Sequence, residues 1–297
     1  MNTVGGPEEQ ALTEGDSASE MARRLERINA QLWVAYPEAK DAFGIMNRLF
    51  DAPDQTRPES FALIGDPSFG KSYLLKQFVA SKMEGEDLNK DEDPEVPLVK
   101  IQMTESPEPA AMLREILARL GAPFSVRLPV DELMRKIVVL AESLRIRVFV
   151  IDEFHMGFQG THRQQMIMLN IARGLTNRTK RPLIVAGTDD IDSFLRNDTQ
   201  LNERFIRRHL RRWKEDADTQ RLLKGFEQQL ALRNPSKLAS PEMTAHILQL
   251  TGGNLGRISR LLVFAAEAAI KSGDECIDKD LLSEMAKQLP GDPYVGI

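Results

Sequence analysis

Eight consecutive residues, GDPSFGKS from Gly65 to Ser72, match the spacing G-x-x-x-x-G-K-[ST] with which a backbone loop grips a polyphosphate. Gly65 and Gly70 let the chain curl until its N–H groups converge on phosphate oxygens, and Lys71 sets a cation on the outer phosphates. Ser72 offers its hydroxyl to magnesium. The expected contacts therefore run through Gly65, Asp66, Pro67, Ser68, Phe69, Gly70, Lys71 and Ser72. The competing explanation is a glycine-rich turn opening a helix. The apolar run before the loop and the helical pattern after it supply the context that phosphate binding requires.

In VFVIDEFH, Val148 to His155, four apolar residues precede two acids. A buried parallel strand ending this way presents its carboxylate at the carboxyl edge of the sheet, beside a phosphate loop. Asp152 is then the magnesium anchor, and Glu153 orients or deprotonates an attacking water. An acid after a strand is otherwise a helix cap, and it is the upstream phosphate loop that favours catalysis. LIVAGTDD ends a further apolar run with Thr188 and Asp189, which either cap the next helix or hydrogen-bond the water or the terminal phosphate.

A third stretch, LNERFIRRHLRRW (201–213), concentrates Arg204, Arg207, Arg208, Arg211 and Arg212 in a chain of net charge -5. Clustered arginines suit nucleic-acid phosphates. On a strand, Arg207 and Arg211 face one way and Arg208 and Arg212 the other; on a helix, Arg204, Arg208, Arg211 and Arg212 share one face. Contacts between subunits or with the acid-rich stretch 84–95 are the alternative to DNA.

These groups need a frame. SFALIG (60–65), PLVKIQMT (97–104), RVFVID (147–152) and PLIVAG (182–187) read as strands. Helical patterns at 71–83, 107–120, 131–144 and 162–178 separate them, which predicts an α/β fold with a parallel sheet covered on both faces. Helical periodicity begins earlier, at 19–33 and 36–50. After Trp213 every segment reads as helix, so a small helical domain follows the sheet. The expected organisation is a polar tail over residues 1–25, an α/β nucleotide-binding domain over 26–214 and a helical lid with a C-terminal tail over 215–297. The acid-rich stretch 84–95 reads as a solvated loop.

At 297 residues, 42% hydrophobic and 28% charged, the composition is that of a soluble globular protein. No run reaches membrane-span length and the start lacks a signal-peptide plan, which predicts a cytosolic protein. Cys276 stands alone, and His155, His162, His209 and His246 lack zinc-ligand spacing. The negative net charge argues against a protein that coats DNA through its overall field, though not against a local basic face.

WVAYPEAKDAF, VPLVKIQMTESPEPAAMLREILARLGAP, VFVIDEFH, LIVAGTDDIDSFLRNDTQLNERF and TGGNLGRISRLLVFAAEAAI together resemble the TniB/TnsC family of AAA+ transposition ATPases over about residues 26–285. The resemblance implies an AAA+ P-loop NTPase, a three-layer RecA-like core with a helical lid, that binds ATP and Mg²⁺. Such proteins assemble on target duplex DNA as rings or helical filaments without sequence specificity and hand the site to a DDE transposase. Hydrolysis disassembles them, and some relatives answer to a CRISPR-associated target-selection module. The implied setting is the bacterial cytosol or nucleoid.

By the same resemblance Tyr36 and Pro37 flank the adenine, and Arg204 reaches the ATP of a neighbouring subunit. Residues 107–120 match a helix that initiator-type relatives point toward DNA, which makes Arg114, Arg119, Arg127, Arg135 and Lys136 the candidate phosphate contacts. The lid departs from the wider pattern: GGNLGR has Gly256 where many relatives carry an arginine, so Arg257 is either a displaced lid sensor or a lid-surface residue. Two other functions fit the motifs, a helicase-loader-type ATPase and a nucleotide-dependent scaffold that does not hydrolyse ATP.

Overall fold

Short apolar runs belong in a sheet buried on both faces, and four of them pair here in parallel with a fifth strand drawn from the arginine-rich stretch. The computed structural model describes residues 19–29, 34–83, 95–104 and 108–290. Its strands are β1 (Ser60–Ile64), β2 (Leu98–Gln102), β3 (Val148–Asp152), β4 (Leu183–Gly187) and β5 (Phe205–His209), in the order β2-β3-β4-β1-β5. Every residue of β1, β3 and β4 is buried. Of the two conformations open to the arginine-rich stretch, the strand is the one adopted over 205–209.

Alternation divides the strands cleanly. Ala62, Ile64, Val99, Ile101, Phe149, Ile151 and Val185 face a core closed by α4 (Ala111–Arg119), α5 (Val130–Ser143), α6 (His162–Thr179) and the short α7 (Asp190–Arg196) and α8 (Thr199–Arg204). The other parity meets α2 (Pro37–Asp51) and α3 (Lys71–Met83), where Phe43 and Phe50 each set an edge against Phe78. Three layers result. A 3-10 helix, η1 (Phe154–Phe158), follows β3.

One face of the helix expected to point toward DNA is taken up by the core. Met112, Leu113, Ile116 and Leu117 of α4 are buried in the sheet core, so α4 is part of one covering layer. Residue 107, where that pattern was expected to start, lies outside the described residues, as do residues 1–18 of the tail and 84–94 of the acidic loop.

The fold divides into two units: Pro37–Arg211, and a second that joins the chain before Pro37 to Arg212 and beyond. The second comprises α1 (residues 19–29), α9 (Ala217–Leu230), α10 (Pro241–Thr251), α11 (Leu255–Ser272) and α12 (Lys279–Ala286). Asp216, Ser240, Asn254 and Asp278 cap the four C-terminal helices by accepting backbone N–H bonds. Among the described residues no helix is long and apolar enough to cross a membrane.

The expected boundaries placed residues 26–36 with the sheet, whereas the described ones pack within the helical unit. Ile28 is buried, Asn29 donates to Glu267 at 2.6 Å, and Val34 fills the space left by Gly225. Arg24 grips Glu275 with two charge-assisted bonds of 2.6 and 2.7 Å, joining segments 251 residues apart. Sequence periodicity cannot reveal such pairing.

The Arg24 bond, followed by lesser contributions from Arg233, holds the Glu275 carboxyl below the ordinary carboxylate range. Arg24→Ala is expected to destabilise the helical unit by about 2 kcal/mol at neutral pH, because a buried carboxylate loses its partner. A group with a depressed folded pKa contributes stability above its unfolded pKa and loses it as pH falls through the folded one. The gap between the two proteins should therefore close in acid. Urea melts at neutral and acid pH measure it, and equal midpoints at pH 7 would remove the bridge from the stability account.

Candidate nucleotide-binding site

The phosphate loop joins the carboxyl end of β1 to the first turn of α3, where backbone N–H groups lack intrahelical partners and the helix dipole favours an anion. Ser68 (φ 64°) and Gly70 (φ 89°) take the left-handed conformation that bends the loop. Gly65 does not, and its requirement is space: a Cβ there would stand 3.1 Å from the Leu210 carbonyl oxygen and 3.3 Å from the Leu210 Cβ. The two glycines, expected to serve one purpose, serve two.

The members of the loop contribute differently. Pro67 has no N–H to offer. The Phe69 side chain is buried and anchors the loop. Lys71 is also buried, and its Nζ donates to the Gly65 carbonyl at 2.7 Å and the Asp66 carbonyl at 2.8 Å. Burial lowers its pKa, while the nearby carboxylates of Glu153, Asp152, Asp66 and Asp189 favour its charge. Ser72 is exposed at the start of α3.

Asp152 ends β3 on the parity of Val148 and Val150, the face that α3 covers. Its carboxylate is buried and accepts the Glu153 backbone N–H at 3.0 Å through Oδ1. Glu153 breaks the strand with a left-handed backbone, φ 52° and ψ 37°, and its side chain is one-third exposed. Glu153 Oε2 lies 3.3 Å from His155 Nδ1. A hydroxyl (Ser72) and a buried carboxylate (Asp152) on the α3 side form the oxygen-donor set that suits Mg²⁺, which keeps most of its other sites for phosphate and water. The residues fit the group.

Thr188 follows β4 at the same edge and donates its hydroxyl to Asp190 at 3.0 Å. Asp189 occupies the N-cap position of α7 without a side-chain cap, so the capping alternative finds no hydrogen bond there. His209, at the end of β5, lies 3.6 Å from Asp189.

The arginines divide by position. Arg204 closes α8 immediately before β5, and Phe205 pairs with Ser60 at the amino-terminal end of β1. It therefore stands at the sheet edge opposite the phosphate loop. Its Nη1 donates to Asn177 at 2.6 Å; burial, then the charges of Arg57 and Arg173, lower its pKa. The next two follow strand alternation. Arg207 reaches Asp192 on one face at 2.7 Å, and Arg208 bonds Asp41 on the other. Both are engaged inside the fold, which sequence reasoning missed because the acids lie on distant helices.

Of the expected DNA contacts, Arg114 is held by Glu108 through two 2.7 Å bonds. Arg119 and Arg127 are exposed, Arg135 pairs with Glu132 at 3.0 Å, and Lys136 donates to the Pro123 carbonyl at 3.3 Å. In the helical unit Tyr36 sets its ring edge against Trp213, centroids 5.1 Å apart. Pro37 opens α2 at a helical position that needs no N–H. The Arg257 guanidinium donates to the carbonyls of Pro290 at 3.0 Å and Leu250 at 3.5 Å. Gly253 has its own reason, since a Cβ there would fall 2.2 Å from the Trp213 oxygen.

The family model described as bacterial TniB protein matches residues 24–215. No curated protein matches. Among solved structures, the chain is similar to the ORC2 protein of Aeropyrum pernix in ADPNP and ADP complexes, with TM-score 0.57, 18% identity, and coverage of 87% of this chain and 68% of that one. Cdc6p of Pyrobaculum aerophilum gives TM-score 0.60 at 17% identity over 87% of this chain and 69% of its own. The Aeropyrum pernix ORC1 protein in complex with DNA gives 0.59 at 15%, over 86% and 66%. At these identities the likeness is one of fold, the AAA+ nucleotide-binding fold.

Proposed function

The chain belongs to the TniB family, and from that premise we propose that it is an ATP-dependent regulator of DNA transposition, assembling on target duplex DNA in its ATP state and dispersing on hydrolysis. One observation carries the reading: Lys71, Asp152, Glu153 and Thr188 belong to one edge of the sheet, while Arg204 stands at the other. Four residues of β1 separate those edges, about 13 Å at strand rise. A guanidinium so placed cannot serve its own subunit's phosphates and is free to serve a neighbour's. Nucleotide turnover and self-association are thereby linked.

Within one site the roles follow from chemistry. Backbone N–H groups of Gly65–Ser72 other than Pro67, together with the Lys71 ammonium, hold the phosphates, with Lys71 exchanging its two loop carbonyls for phosphate oxygens. Ser72 and Asp152 would hold magnesium, which would supply positive charge against the phosphates. Glu153 takes a proton from water, and Thr188 donates to that water or to the terminal phosphate. Tyr36 and Pro37 are proposed to flank the base, as the family resemblance implies. Arg257, held by lid carbonyls, is assigned no contact with phosphate.

Arg119, Arg127, Arg135 and Lys136 are proposed to track the DNA backbone; Arg114, neutralised by Glu108, is not. The ORC1 neighbour in complex with DNA supports DNA as the partner for this fold. A DDE transposase, and a target selector of CRISPR-associated or other type, complete the proposal on the family's account.

Electron microscopy with duplex DNA and a slowly hydrolysed ATP analogue tests the reading. Rings or filaments should form only when both are present, and their absence would sink it. Lys71→Ala should weaken ATP binding by about 100-fold, the worth of two charged hydrogen bonds. DNA-bound assembly should fail at the same nucleotide concentrations, and assembly retained without ATP binding would break the proposed coupling.

A further inference from the structure

His155 is not explained by the roles above. It is the second residue of η1, its side chain is only 15% exposed, and its Nδ1 has no hydrogen bond of good geometry among the described residues. A buried ring nitrogen left this way is costly unless it serves something nearby. The nearby group is Glu153, whose Oε2 lies 3.3 Å from that nitrogen. Catalytic hydrogen bonds are often this long before the reactants are bound.

Two backbone features bring the pair together. The left-handed turn at Glu153 folds its side chain back over the helix it precedes, a conformation costing about 1 kcal/mol or more for a residue other than glycine. Opposite, β4 ends on Gly187, where a Cβ would stand 2.7 Å from His155 Nδ1 and 2.6 Å from Ile191 Cδ1. Only a residue without a side chain leaves the imidazole its place. The ends of β3 and β4, read from sequence as separate motifs, interlock here.

We propose that His155 is a positioning residue: its Nδ1–H donates to Glu153 Oε2 and fixes the carboxylate in the orientation that accepts a proton from water. The same carboxylate is among those whose charge favours the charged form of Lys71. The inference rests on the ATPase reading above.

Steady-state ATP hydrolysis by the full chain with duplex DNA tests it, comparing wild type with His155→Ala, His155→Asn, His155→Gln, Gly187→Ala and Glu153→Gln. His155→Ala should lower kcat by about 10- to 100-fold, the cost of a base misplaced by about 1 Å, and leave KM unchanged. His155→Asn places an amide N–H close to the Nδ1 position and should recover most of the loss. His155→Gln places its amide farther out and should not. Gly187→Ala, by displacing the ring, should reproduce the alanine phenotype. An unchanged or raised kcat in His155→Ala, or equal losses in Asn and Gln, would overturn the assignment. Should His155→Ala fail to fold, the Asn and Gln pair decides. A wild-type protein without turnover, or a Glu153→Gln variant as fast as wild type, would instead refute the ATPase reading on which the inference stands.

Discussion

Arg204→Ala is expected to cut ATP turnover by the DNA-bound assembly about 10³-fold while leaving ATP affinity intact, because a positioned arginine neutralises charge that develops only in the transition state. The residue ends α8 at the edge of the sheet away from the phosphate loop, so its loss does not disturb the loop that holds nucleotide. Its surroundings suit the role proposed for it. Asn177 holds one guanidinium nitrogen at 2.6 Å, and Arg57 and Arg173 add positive charge around it. Removing one of three neighbouring cations should cost the fold little.

The position also predicts complementation. Arg204→Ala and Glu153→Gln copies should each turn over slowly alone, yet mixed assemblies should regain activity, since a Glu153→Gln copy presents an intact Arg204 to a neighbour whose Glu153 is intact. Unchanged turnover in Arg204→Ala, or no recovery on mixing, would place the finger elsewhere.

Glu153→Gln should slow hydrolysis by a factor on the order of 10²–10⁴, the range for loss of a general base, with ATP binding preserved. The amide keeps the size and reach of the carboxylate but cannot take up the proton. Lys71, Ser72 and Asp152, which hold the nucleotide and its metal in this account, are untouched. Assemblies formed by the variant on duplex DNA should persist for hours after ATP is withdrawn, where wild type disperses. Light scattering after an ATP chase measures this, and prompt dispersal would separate disassembly from hydrolysis.

Much of the molecule was legible before any coordinate. Strands β1 to β4 each lie within a stated apolar run, and the helices at 71–83, 131–144 and 162–178 differ from those adopted by at most a residue at their ends. The phosphate loop and the Asp152–Glu153 pair were legible for a chemical reason: each needs particular side chains at particular spacings, and spacing is what a sequence records. The glycines were legible as positions without revealing their causes. Gly65, Gly187 and Gly253 each make room for an atom contributed by a distant segment.

The arginine-rich stretch marks the limit most clearly. Its charge invited a DNA-binding role, and alternation correctly set Arg207 and Arg208 on opposite faces once it became a strand. That Asp192 waits on one side and Asp41 on the other follows only from which helices cover which face. The same holds for Arg24 and Glu275, which assign the N-terminal helix to the C-terminal unit, and for the expected DNA helix, half of which is buried in the core.

By itself the sequence determined the local chemistry: a phosphate loop, an acid pair after a strand, a parallel sheet implied by alternating strands and helices, and a helical C-terminal region. Those properties depend on residues within a few positions of one another. Only the tertiary structure decided which edge each group occupies, which arginines are neutralised, and that His155 sits beside Glu153 in a space kept open by Gly187. Such decisions rest on packing between segments far apart in the chain, and short-range periodicity carries no record of it.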